Sequence, residues 1–120
     1  LEMIVLPGGL GGVASISACQ EALQAVRFAY ENDKYIAAIC AAPTILAKLG
    51  IAENKNATCY PGCEDQMGSA KISNEHAVVT DGKLITAASA GCAIPFGLQL
   101  IAALKGQEAA QTIGRQIVIR

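Results

Sequence analysis

The sequence predicts an α/β fold in three layers, a mostly parallel sheet with helices on both faces. Three observations carry that prediction. Short apolar runs alternate with amphipathic stretches along the whole length, the pattern of strands joined by covering helices. The central runs are aliphatic throughout, without polar alternation, and so belong to strands buried on both faces. Proline and glycine punctuate the ends of these runs, where a ladder donor can be spared and unusual dihedrals are needed.

Taken in order, Met3-Ile4-Val5-Leu6 is a buried strand ended by Pro7-Gly8-Gly9, and a loop follows to about Ser17. Ala18, Ala22, Ala25, Val26 and Ala29 then recur at helical spacing. Gln20, Glu21, Gln24, Arg27 and Glu31 face outward, and Asn32-Asp33 closes the helix. Tyr35 to Ile39 is the next strand, ending at Cys40. Pro43 in a first turn, with Ile45, Leu46 and Leu49 before Gly50, makes a short helix with proline early and glycine just past its end. Ala57 to Tyr60 reads as a strand, and Pro61-Gly62 opens a loop to about Ile72. Ala77 to Thr80 and Leu84 to Ala87 form a hairpin around Asp81-Gly82. Small residues Ala88 to Gly91 lead into a helix over Cys92 to Leu104, with Pro95 in its first turn. Gly106 breaks it, a second helix covers about Gln107 to Ile113, and Gln116 to Ile119 is strand-like.

Of 120 residues, 52% are hydrophobic and 16% charged, with 9 Lys+Arg against 10 Asp+Glu for a net charge of −1. A chain of this size buries roughly two-thirds of its unfolded surface, enough for one core, so one domain is expected over residues 1–120. Balanced charge without a Lys/Arg cluster argues against a nucleic-acid partner. No apolar run is long enough to span a bilayer, and the first residues do not form a signal peptide. Five cysteines, Cys19, Cys40, Cys59, Cys63 and Cys92, are odd in number and irregular in spacing. With a single histidine, they form neither a disulfide framework nor a zinc motif. A cytoplasmic protein with free thiols, no metal and no membrane association is expected. The chain starts inside a strand, at Leu1 rather than at Met, so the remainder of a longer protein is expected, its first elements missing.

The sharpest chemical signal is Ala37-Ala38-Ile39-Cys40-Ala41-Ala42-Pro43, a nucleophilic residue between a buried strand and a helix with small neighbours on either side. Such an elbow needs small neighbours because the turn is tight, and it lifts the central side chain above the sheet. At a helix start, unpaired N–H groups favour the Cys40 thiolate. Cys40 and the Pro7-Gly8-Gly9 turn both fall at carboxyl ends of strands, where open α/β sheets bind ligands. The amides of Gly8 or Gly9 and Ala41 would there converge on an oxyanion. The competing reading makes Cys40 an inert, buried apolar residue, as most free cysteines are.

The Leu6-Pro7-Gly8-Gly9 turn, the Ala38 to Pro43 elbow and the Thr86 to Gly91 segment leading into Ala93-Ile94-Pro95-Phe96-Gly97-Leu98 together resemble the ThiJ/PfpI superfamily. Within it the chain is most similar to the branch of the parkinsonism-associated deglycase and bacterial YajL. The resemblance implies a flavodoxin-like fold and a homodimer. It makes Cys40 a peroxide-sensitive reactive cysteine and Gly8, Gly9 and Ala41 its anion-binding amides. A small residue after the cysteine departs from the protease arm, which places histidine there. Two features depart from the family: the glutamic acid that hydrogen-bonds the reactive thiol has no counterpart here, since Glu2 does not fit the role, and Ser89-Ala90-Gly91 stands where the family has Gly-Pro-Gly.

Other residues carry weaker readings. His76, in Asn74-Glu75-His76, reads as a solvated surface histidine before a catalytic base. Cys92 reads as core packing, or as a resolving thiol for oxidised Cys40. Cys59 and Cys63 flank Tyr60-Pro61-Gly62 and could oxidise together in vitro. Cys19 reads as packing on the first helix. The resemblance implies a cofactor-independent glyoxalase or deglycase acting on small reactive aldehydes or glycated substrates. The alternatives are a peroxide sensor or chaperone acting through Cys40 oxidation, and, least favoured, a cysteine protease or amidotransferase relative.

Overall fold

The computed structural model describes residues 1–117. Its central sheet has four strands, β1 (Met3–Leu6), β2 (Tyr35–Ile39), β5 (Val78–Asp81) and β6 (Leu84–Ala87), in the order β1-β2-β6-β5. β1 and β6 both run parallel to β2, and β5 is the antiparallel edge. Helices cover both faces, which is the expected three-layer arrangement.

The period of two in β2 sorts its side chains between two cores. Ile36 and Ala38 join Val26 and Ala29 of α2 (Gln20–Glu31) and Ile45 and Leu46 of α3 (Pro43–Lys48). Ala37 faces the other way, packing with Ile85, Ala87 and Phe96 of α4 (Ala93–Lys105). Leu46, Ile51, Val26 and Ile85 are fully buried, each contributing about 1.5–3 kcal/mol. α5 (Gln107–Gln116) packs on α4 after the break at Gly106, whose φ of +96° suits glycine. Among the described residues no helix is long and apolar enough to cross a membrane, and no cluster of three or more His, Cys, Asp or Glu is placed to hold a metal ion.

Several elements differ from expectation. The expected loop before Ser17 is a helix, α1 (Leu10–Ser17), capped by Gly9 at φ +88°. Its Val13 and Ile16, three residues apart, pack against the first core. Two glycines inside it lower helix propensity and hid it. Cys19 is the exposed N-cap of α2 rather than a packed helix residue. The strand expected over Ala57 to Tyr60 is shorter and earlier, β3 (Asn56–Ala57). It pairs in parallel with β4 (Lys71–Ile72), which lies inside the expected loop. Asp81 pairs with Leu84, so the hairpin turn is Gly82-Lys83, one residue later than read. Of the strand-like Gln116 to Ile119, Gln116 ends α5 and Ile117 caps it, while residues 118–119 lie outside the described residues.

Candidate active site

Register fixes the site. Leu6 pairs with Ala38, and Ile39 with Ala87, so β1, β2 and β6 all end at one edge of the sheet. Cys40 is the first residue beyond β2. Its N–H donates to Ala87 O at 2.9 Å, and its carbonyl accepts the Tyr60 N–H at 2.8 Å. Pinned from both sides, Cys40 holds φ at +67°, a left-handed conformation that costs an L-residue about 1–2 kcal/mol. Such strain is characteristic of a nucleophile elbow. Cys40→Gly would release it against the entropy that glycine adds to the unfolded chain. The expected net gain is about 0.5–1 kcal/mol, read as a higher urea midpoint; a lower midpoint would contradict the strain.

Gly8 fits against this elbow. A Cβ on Gly8 would lie 2.5 Å from Cys40 Cβ, 2.9 Å from Ile39 O and 3.4 Å from Cys40 Sγ. Cys40 is half-buried beside a cavity of about 310 Å³ lined by Gly9, Leu10, Cys40, Ala41, Tyr60 and Cys63. Among the described residues the N–H groups of Gly8, Gly9 and Ala41 have no acceptor in the protein. Free N–H groups beside an opening suit an anion or a developing oxyanion.

The helix start at this cavity differs from the one expected. α3 has six residues and begins three positions beyond Cys40. The intervening Ala42 N–H already donates to Ile39 O at 3.2 Å. It is α1 whose first turn borders the cavity, with Gly9 as N-cap and Leu10 in the lining.

The remaining thiols are placed differently. Cys63, which the sequence offered only as a partner for Cys59, lines the cavity with Cys40. Burial pushes its thiol up, and the negative charges of Cys40, Glu64 and Asp65 push the same way. Cys59 belongs to the first core, where burial, followed by Glu64 and Cys63, raises it to about 11. Cys92 packs on the opposite face of the sheet with the Phe96 cluster, its Sγ 3.7 Å from Ser89 Oγ. His76 is exposed, with Nδ1 2.9 Å from Ser73 Oγ, and does not line the cavity. The spacing of Cys63 from Cys40 gives no local signal of their meeting; the link is the Tyr60 backbone between them.

The family model described as DJ-1/PfpI matches residues 1–103. Protein dj-1beta of Drosophila melanogaster is 36% identical over 119 residues, covering 98% of this chain and 64% of that protein. The Parkinson disease protein 7 homolog of Danio rerio is 31% identical over 121 residues, covering 99% of this chain and 64% of its own length. The crystal structure of Drosophila DJ-1beta superposes with a TM-score of 0.94 at 36% identity, covering the whole of this chain and 65% of that one. The oxidised Toxoplasma gondii DJ-1 superposes at 0.92 with 30% identity, over 98% of this chain and 64% of that one. The chain thus spans just under two-thirds of the length of these relatives. Its flavodoxin-like sheet, its cysteine elbow and a family match over most of its residues lead to one assignment: the chain belongs to the DJ-1/PfpI family.

Proposed function

We propose that this is a stress-response protein whose Cys40 acts as a nucleophile toward reactive aldehydes. The supporting observation is the left-handed Cys40, held at the mouth of a cavity lined by Gly9 and Ala41, with the free amides of those two residues and of Gly8, which packs against the cysteine. The Cys40 thiolate adds to the aldehyde carbon of an α-oxoaldehyde such as methylglyoxal. A C–S bond forms, and the carbonyl oxygen becomes an oxyanion that those three amides receive. In the resulting hemithioacetal a proton moves from the former aldehyde carbon to the neighbouring one. Water then cleaves the thioester, releasing lactate and the thiol. The hydrogen shift is internal, so the net reaction is addition of water. Deglycation would apply the same attack to adducts on proteins or nucleotides. The chemistry also needs a proton carrier; besides the two thiols, Tyr60 is the one lining side chain with an exchangeable proton.

A second reading makes Cys40 a peroxide sensor that stops at the sulfinic acid, with the same amides holding the charged oxygens. The similarity to a DJ-1 solved in an oxidised form favours keeping it. The protease and amidotransferase readings lose support, because the residue after Cys40 is Ala41 and His76 is engaged with Ser73 at the surface. A homodimer in the cytoplasm completes the proposal, in keeping with five unpaired thiols and the family assignment.

Lactate formation from methylglyoxal tests the enzymatic reading. The protein should produce it and Cys40→Ser should fall to the uncatalysed rate; equal rates, or none in either, would overturn it.

A further inference from the structure

We propose that Cys63 is the resolving thiol for Cys40, closing an intrachain disulfide when a hydroperoxide oxidises the elbow. The inference rests on the reading of Cys40 as the reactive thiol and goes beyond it by giving the oxidised state a defined partner and an exit. Two geometric facts carry it. Cys40 and Cys63 line the same cavity, and none of the other three cysteines does. The backbones of the pair are also chained together: Cys40 O accepts the Tyr60 N–H at 2.8 Å, and Tyr60 O accepts the Cys63 N–H at 2.9 Å.

The chemistry proceeds in two balanced steps. The Cys40 thiolate attacks the peroxide; an S–O bond forms, the O–O bond breaks, and the alkoxide or hydroxide leaves as alcohol or water after taking up a proton, giving Cys40 sulfenic acid. The Cys63 thiolate then attacks Cys40 Sγ; the S–S bond forms, the S–O bond breaks, and hydroxide departs as water after taking up a proton. The hydroperoxide is the only oxidant required.

Burial, with the negative charges of Glu64 and Asp65 beside it, pushes the Cys63 thiol up, which suits a thiol that waits for the sulfenic acid rather than one that meets peroxide itself. A disulfide needs the two Cβ atoms within about 3.5–4.5 Å, and the hydrogen bonds that run from Cys40 through Tyr60 to Cys63 hold the two backbones together for that approach. Cys92 is a poorer partner, because it packs on the opposite face of the sheet.

Mapping of the full chain after one equivalent of hydrogen peroxide, alkylation and non-reducing trypsin digestion tests the proposal. Lys48 and Lys55 lie between the two cysteines, so trypsin places them on separate peptides. The expected product joins peptide 35–48 to peptide 56–71, with Cys63 in the bond and Cys59 alkylated when the linked peptides are fragmented, comes from protein that runs as a single chain on a non-reducing gel, and lacks two hydrogens. In Cys63→Ser, Cys40 should instead be trapped as sulfenic acid, and pass on to the sulfinic acid when a second equivalent of peroxide is added. Wild-type protein that carries Cys40 sulfinic acid beside an alkylated Cys63, or a bond joining two chains, overturns the resolving role and leaves the reactivity of Cys40 standing. An untouched Cys40 among oxidised neighbours overturns both.

Discussion

Gly8→Ala is expected to destabilise the fold by about 3 kcal/mol, toward the upper end of overpacking costs, and to displace the reactive thiol at the same time. The added methyl would meet Cys40 Cβ at 2.5 Å and Ile39 O at 2.9 Å. Neither atom belongs to the free end of a flexible side chain. Ile39 is held in register with Ala87, and Cys40 is bonded through both its N–H and its carbonyl. Relief therefore has to come from the backbone, through retreat of the Pro7-Gly8-Gly9 turn or a twist of the elbow out of its left-handed conformation. Either movement separates the Gly8 and Gly9 amides from Cys40, so thiol chemistry should fall along with stability. Urea unfolding gives the first effect, and the rate at which a thiol reagent modifies Cys40 gives the second. A variant with a wild-type midpoint and a wild-type modification rate would show that the contact is slack and that Gly8 has no part in placing the thiol.

The elements set by local sequence were legible, and those set by long-range contact were not. β1, β2 and the β5–β6 hairpin follow from apolar runs bounded by turn residues, and Pro43 at the first position of α3 marks its start. Cys40 stood out because its neighbours are small, as a tight elbow requires. α1 escaped because glycines at positions 11 and 12 read as loop, although Val13 and Ile16 keep a helical spacing that the core rewards. β3 and β4 are two residues each, too short for a periodic signal; they persist because Asp81 Oδ2 accepts the Asn56 N–H at 2.8 Å and the strands pair with each other. The placement of Cys63 against Cys40 depends on how the Pro61-Gly62 turn folds back, which no spacing rule supplies.

Thr86→Val should cost about 1–3 kcal/mol, the penalty for stranding a buried donor, although it keeps nearly the same shape and opens no cavity. Thr86 and Thr58 are both buried, at 0% and 2% exposure. Thr86 Oγ1 accepts the Thr58 N–H at 2.9 Å, while Thr58 Oγ1 donates to Ser73 O at 2.9 Å. Valine removes the acceptor and leaves that N–H in the core without a partner. The consequence reaches the site, because two residues farther on Tyr60 N–H holds the Cys40 carbonyl and Tyr60 forms one wall of the cavity. Amide exchange should therefore quicken at Thr58 and Tyr60 in Thr86→Val, beyond what the global loss of stability explains. Thr86→Ser, which loses a methyl but keeps the oxygen, should restore the protection. Equal exchange in the valine and serine variants would mean that packing, rather than the hydroxyl of β6, latches this wall onto the reactive cysteine.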